Sequence, residues 1–233
     1  MQQTTDKVFL ITGASSGIGA ATARHAAAAG YRLVLAARAI DKLITLSTEL
    51  GGPPRALAVA CNVTEWDSQQ ALVANALAAF GQIDVVFANA GGKQGSDLLG
   101  GEDTPDEWRA MVLANVYGAA ATVRLVLPEL IKRKGHLLLT GSVAGRAPIG
   151  ELYAATKWAI TGLGHGLRNQ LVGTGVRVTL IEPGMVDTPF WTERPPVPML
   201  QPDDVARAIL YAVSQPAHVD VNELLIRPTG QKI

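Results

Sequence analysis

The sequence predicts an α/β fold, a doubly wound parallel sheet of about seven strands flanked by helices. Two observations carry this prediction. Apolar runs of strand length alternate strictly with longer helical segments, which implies parallel strands joined by right-handed crossovers. The runs are also short, β-branched and continuously apolar, as expected of strands covered on both faces. The length of 233 residues, 48% of them apolar, fits a single domain over 1–233 with a large core that needs no disulfide or metal.

The elements follow in order. "KVFLIT" is the first strand, and a helix runs from Ile18 to about Ala29. "RLVLAA" is the second, followed by a helix near Asp41 to Leu50. "RALAVA" is the third, followed by a helix near Glu65 to Ala79, and "IDVVFAN" is the fourth. A long helix begins after Thr104, with Pro105 at its first position and Glu107 placed to close a capping box. "HLLLTGS" is the fifth strand, and a helix spans about Tyr153 to Leu171. Then come "VRVTLIEPG", a helix near Asp203 to Ser214, and "NELLIRP". The stretch "PFWTERPPVPMLQP" cannot continue a helix and forms a surface loop, a short lid near 189–202 at the sheet's C-terminal edge.

Composition narrows the function classes. Formal net charge is zero and there is no basic tract, so neither nucleic acid nor an anionic membrane is an expected partner. Cys61 is the only cysteine, which rules out an intrachain disulfide and fits a reducing cytoplasm. The polar "MQQTTDK" and the short apolar run after it do not make a signal peptide or a span. His25, His136, His165 and His218 are scattered without metal-ligand spacing, so no metal site is expected.

"ITGASSGIGAATA" lies where the first strand becomes the first helix. Its Gly13, Gly17 and Gly19 let the backbone turn tightly and approach a pyrophosphate, whose charge a helix N-terminus favours. A βα turn with packing glycines is the plainer alternative. The ligand crevice of such a sheet lies between the first and fourth strands. The fourth ends in Asn89, Ala90, Gly91 and Gly92, small residues that allow backbone to approach a cofactor. "YAATK" sets Tyr153 and Lys157 at i and i+4, on one helix face. Two exposed side chains, or a phenol tuned to exchange a proton, would both suit that spacing.

"TGASSGIG", "NAG", Asn115, Ser142, "YAATK" and "PGMVDT" occur in the order and rough spacing of the short-chain dehydrogenase/reductase family, and the chain resembles that family over nearly its whole length. The resemblance implies a Rossmann fold and an NADP(H)-dependent enzyme that interconverts a carbonyl and an alcohol by hydride transfer. By it, Tyr153 is the general acid/base. A free phenol has a pKa of about 10, and the ammonium of Lys157 would lower it. Lys157 would also bind the nicotinamide ribose. Ser142 would hold the substrate oxygen, and Asn115 would hold a water that links Lys157 to solvent. Pro183, Gly184, Val186 and Thr188 would wrap the nicotinamide. Ser15, Ser16, Ile18, Asn62, Val63, Ala37 and Arg38 would line the rest of the dinucleotide. Asn62 departs from the family's usual aspartate at the adenine, and its amide can still accept a hydrogen bond there.

Ala37 stands where NAD enzymes of this fold carry an acid, and Arg38 follows it with a planar fork suited to phosphate. The expected substrate wall comprises Gly92, Lys93, Arg146, Glu151, Met185, Phe190 and Trp191, with Ser142 and Tyr153 at its base. The C-terminal stretch is similar to members that act on 3-hydroxy acids or reduce clavulanate aldehyde. A 3-oxoacyl thioester reductase, which would need a basic docking patch, and a catalytically silent nucleotide-binding scaffold are the alternatives; "IKRKG" is one small basic cluster and reads as the charged C-terminal end of a helix. Gly162 and Gly166 share a face of the helix after Tyr153, at about 1 kcal/mol each relative to Ala. Close approach of a second helix would offset that cost. Family members commonly pair through this helix and the one bearing Asn115, so a homotetramer is expected.

Overall fold

The computed structural model describes residues 6–93, 97–99, 102–191 and 193–231. Its strands are β1 (Val8–Thr12), β2 (Arg32–Ala37), β3 (Ala56–Ala60), β4 (Val85–Ala88), β5 (His136–Thr140), β6 (Arg177–Pro183) and β7 (Glu223–Ile226). They form one sheet in the order β3-β2-β1-β4-β5-β6-β7, and every pairing is parallel. The helices are α1 (Gly17–Ala28), α2 (Ile40–Glu49), α3 (Trp66–Phe80), α4 (Pro105–Val112), α5 (Gly118–Arg133), α6 (Leu152–Gln170) and α7 (Pro202–Ser214). Each element expected from the sequence is present, with its ends moved by one or two residues.

Alternation along the strands divides the core in two. Val8 and Leu10 of β1 pack with Leu72 of α3, Val126 of α5 and Ile160 of α6. Phe9 and Ile11 point the other way, to Ala23 of α1, Leu43 of α2 and Ile209 of α7. Burial of each large side chain contributes about 1.5–3 kcal/mol, so both sheet faces must be covered. The strand order reverses between β1 and β4, and the crevice this leaves opens at the strands' C-terminal ends.

Local chemistry sets the helix ends. Thr104 caps α4: its hydroxyl accepts from the Glu107 N–H, and the Glu107 carboxylate accepts from the Thr104 N–H at 2.8 Å. The long helix is not continuous, however. Leu113–Tyr117 forms a π-helical turn between α4 and α5, and it carries Asn115. Such turns often sit at functional sites. The stretch Pro105–Arg133 is long and apolar enough to cross a bilayer. Here Val123, Val126 and Leu130 are buried in the core, as in the core helix of an α/β fold.

The glycines of α6 divide in role. A Cβ at Gly164 would sit 2.7 Å from Leu180 Cδ2, so that glycine serves packing within the chain. A Cβ at Gly162 or Gly166 would meet nothing within 4 Å. Among the described residues, the close approach expected at those two positions is not made inside one chain.

Candidate active site

A cleft of about 620 Å³ lies across the C-terminal ends of β1, β2, β4, β5 and β6. Its floor at β1 is the glycine loop. Gly13 has φ +68°, and a Cβ there would sit 2.9 Å from Asn89 Nδ2 and 3.0 Å from Ala90 Cα. Only glycine combines that conformation with that closeness. Gly17 (φ +52°) begins α1 and faces the Thr188 methyl. Ser15, Ser16 and Ile18 line the cleft beside it, so the N–H groups of the first turn of α1 face the space. Asn89 ties three strands: its Nδ2 donates to Thr12 O at 3.0 Å, and its Oδ1 accepts from Thr140 Oγ1 at 3.2 Å. Ala90, Gly91 and Gly92 continue along this wall.

At the far end, Ala37 closes β2 and Arg38 is exposed on the cleft wall, with no salt bridge among the described residues. Cys61, Asn62 and Val63, after β3, complete this end.

At the other end lie Ser142, Tyr153 and Lys157. Ser142 Oγ accepts from the Ala144 N–H at 3.1 Å, and its hydroxyl stands beside the Tyr153 phenol, whose pKa it lowers. Lys157 Nζ lies 5.6 Å from the centre of the Tyr153 ring and donates to Thr140 O at 2.9 Å. Burial raises Tyr153 to about 12; the bond to Ser142 pulls against this and the Glu151 charge adds to it. Burial also brings Lys157 down to about 8. The lowering expected from Lys157 is not among the causes of the phenol's shift: the depth that brings the two groups together strips solvent from both, and that sets the direction of both shifts.

Asn115 lies behind this trio and does not line the cleft. Its Oδ1 accepts from the Gly92 N–H at 2.9 Å, and its Nδ2 donates to Gly92 O and Thr156 Oγ1, both at 3.0 Å. It therefore joins the β4 loop to the first turn of α6.

Residues 7–197 match the profile of the family described as short chain dehydrogenase. The chain belongs to that family. It is 37% identical over 229 residues to an uncharacterized oxidoreductase of Staphylococcus aureus, covering 96% of this chain and 98% of that one. An alcohol dehydrogenase from Thermococcus sibiricus, solved with 5-hydroxy-NADP, is 33% identical with a TM-score of 0.87, over 97% of this chain and 98% of that one. A 3-ketoacyl-(acyl-carrier-protein) reductase from Brucella melitensis, solved with NADH, is 28% identical with a TM-score of 0.87, over 96% and 97%. The chain is thus a short chain dehydrogenase whose structural relatives hold nicotinamide cofactors.

The residues present fit such a dinucleotide. The cradle that a Cβ at Gly13 would fill, the α1 N-terminus and the unpaired guanidinium of Arg38 form one continuous wall. Pro183, Gly184, Val186 and Thr188 form the wall opposite.

Three residues expected on the cleft wall, Gly19, Arg146 and Met185, do not line it. Gly19 does not line the cleft; a Cβ there would sit 2.3 Å from Gly13 O, so it serves the packing of α1 under the loop. Asn62 lines the cleft as expected, and its Oδ1 also accepts from Thr64 N–H (3.2 Å) and Thr64 Oγ1 (2.9 Å). Arg146 is not on the substrate wall: its Nε donates to Glu182 at 2.7 Å and it pairs with Glu223. Met185 is not among the residues that line the cleft; its backbone is held by Gln231 Oε1, which accepts from its N–H, and by the Leu200 N–H, which donates to its carbonyl.

Of the remaining wall, Gly92, Lys93, Phe190 and Trp191 line the cleft. Phe190 stacks edge-on against Tyr153 at 5.5 Å and against Trp191 at 5.3 Å. Glu151 pairs with Lys93 at 2.7 Å. Sequence reasoning missed Thr140 and Thr156, which hold Lys157 and Asn115, and Met111 and Ala114, which face the cleft. Thr140 was within reach of it, as the last residue of a strand that ends at the crevice.

Proposed function

We propose that this protein is an NADP(H)-dependent oxidoreductase that interconverts a ketone or aldehyde and an alcohol, with Tyr153 as general acid/base. The observation that carries this reading is the trio of Ser142, Tyr153 and Lys157, the serine and lysine buried and the tyrosine half-buried, at one end of a cleft whose other end presents Arg38, with no acid at position 37. Bound dinucleotide supplies the two-electron redox chemistry. The chain's own residues do the rest. Ser142, with its oxygen satisfied by the Ala144 N–H, turns its proton toward a substrate oxygen. Tyr153, fully protonated at neutral pH, gives its proton to that oxygen as negative charge develops, and takes it back in alcohol oxidation. Lys157, held by Thr140 O, presents a cation to the ribose hydroxyls. Asn115 keeps one lone pair on Oδ1 for the water of a proton path to solvent. Phe190 and Trp191, at the start of the lid near 189–202, shut water from the phenol. A panel of ketones, aldehydes and secondary alcohols, followed by NADPH absorbance, tests the reading; no turnover on any of them would overturn it.

The thioester alternative would need a basic docking patch, and the cluster at the end of α5 is partly paired with acids. In "IKRKG", Lys132 pairs with Glu129 at 3.3 Å and Arg133 with Asp84 at 3.0 Å. Cys61, a buried free thiol, suits the cytoplasm.

Cofactor preference follows from charge at the far end. A guanidinium bonded to the 2′-phosphate contributes about 1.5–3 kcal/mol, or roughly ten- to a hundredfold in favour of NADP. Ala37→Asp with Arg38→Gln is expected to reverse the order of kcat/KM for NADPH and NADH. Equal efficiency of the two cofactors in the parent protein would show that Arg38 does not read the phosphate.

Assembly is the second expectation. Gly162 and Gly166 face outward with Trp158 (48% exposed) beside them, and Tyr117 (40%) stands on the neighbouring helix. An apolar face kept smooth by glycine suits a second copy of the chain, and we take the assembly to be a homotetramer. Light scattering at micromolar concentration is expected to give four times the 24.4 kDa chain mass, and Gly162→Leu with Gly166→Leu to lower it. A monomer in the parent protein would refute this.

A further inference from the structure

Arg146 and Glu182 lie outside the cleft, yet they bound the segment that carries Ser142. Glu182 is the penultimate residue of β6 and its side chain is 1% exposed. One carboxylate oxygen accepts from Arg146 Nε at 2.7 Å and from Thr161 Oγ1 at 3.3 Å. The other is buried with no hydrogen-bond partner among the described residues. Such a charge is held in place by its partner cation.

The serine turn is pressed from both sides. A Cβ at Gly141 would sit 2.9 Å from Glu182 Cγ. A Cβ at Gly145 would sit 2.7 Å from Lys157 O and 2.9 Å from Thr161 Oγ1. Ser142 and the short helical turn Val143–Gly145 are therefore clamped between β6 and α6, with glycine at each edge. Arg146 closes the clamp from the far end of the turn. On its outer side it meets Glu223 of β7, which also pairs with His165 at 2.8 Å.

We propose that Arg146 and Glu182 are positioning residues for Ser142: their buried ion pair locks the serine turn onto β6 and so sets the Ser142 hydroxyl against Tyr153. This rests on the reading of Ser142 and Tyr153 as the proton-handling pair. A consequence separates it from simple stabilisation. The bond to Ser142 lowers the phenol's pKa, so a loosened turn lets that pKa rise further.

The test pairs Arg146→Met with Glu182→Met, because removing both charges leaves no unpaired buried ion and the double variant keeps its fold. Three readouts apply. In cofactor-free protein, amide exchange over residues 142–146 is expected to quicken while β1 and α1 stay protected. NADPH binding, followed by its fluorescence, is expected to hold. Reduction of the probe ethyl acetoacetate is expected to lose about 10- to 100-fold in kcat, and the pH limb for oxidation of ethyl 3-hydroxybutyrate to move upward. Arg146→Lys is expected to recover most of the kcat. Adding Ser142→Ala to the charge-free pair is expected to cost nothing more, since its hydroxyl is already misplaced.

Parent-like exchange in the serine turn overturns the proposal. So does a parent-like kcat in a folded variant, or a loss that multiplies with that of Ser142→Ala. If Ser142→Ala alone leaves kcat unchanged, it is the reading of the site that fails. If Ser142→Ala is slow and the charge-free pair is not, the site reading stands and the positioning role falls.

Discussion

Tyr153→Phe is expected to lower turnover by about 10²–10⁴-fold, while NADPH binding by the same variant stays near that of the parent. The substitution removes one hydroxyl and keeps the ring. The edge-on contact with Phe190 at 5.5 Å survives, and so does the Lys157 bond to Thr140 O. What is lost is the proton that Ser142 helps aim at the substrate oxygen. Burial holds the phenol near 12, so at neutral pH it carries its proton fully and, in the proposed role, would serve as acid without prior titration. Stopped-flow or steady-state NADPH oxidation, with fluorescence titration of NADPH alongside, checks both halves. Turnover close to the parent's would exclude the phenol as proton donor.

How much of this was legible follows from the range of the interactions involved. The tight turn at Gly13, the start of α1 to within one residue and the shared face of Tyr153 and Lys157 depend on a few neighbouring residues, and these were legible. Arg146 was misread because its partner Glu182 lies 36 positions away, on another strand. The Asx turn by which Asn62 Oδ1 accepts from the Thr64 N–H, two residues on, is local and could have been seen. The π turn at Asn115 left no mark in the helical pattern, and Asn115 is anchored there by Gly92, across a gap of 23 positions. The direction of the Tyr153 shift was wrong because burial depth is a property of the assembled fold. The sequence supplied the ammonium but not the desolvation.

The second large effect is acid lability from His136. This histidine opens β5 and is 1% exposed. Its Nε2 lies 2.7 Å from Thr179 Oγ1, and that hydroxyl donates to Val221 O, so Nε2 carries the ring proton. Nδ1 is buried with no partner among the described residues. A second proton there would sit in apolar surroundings near the Arg177 guanidinium. Burial first, and then that charge, bring the imidazole down from 6.5 to about 3. Above pH 6.5 both folded and unfolded chains hold it neutral and it has no effect. Below 6.5 the unfolded chain takes up a proton that the folded chain refuses, so stability falls as pH falls toward about 3. At 1.36 kcal/mol for each pH unit the full loss is about 5 kcal/mol, and about 2–3 kcal/mol has gone by pH 4.5. Urea unfolding at pH 7 and pH 4.5 is expected to show a drop of that order. In His136→Gln, whose amide can still reach Thr179 but cannot take up a proton, stability at pH 7 is expected to be lower and the acid drop smaller by about 2–3 kcal/mol. An equal acid drop in the two proteins would mean that the carboxylates, and not His136, govern unfolding at low pH.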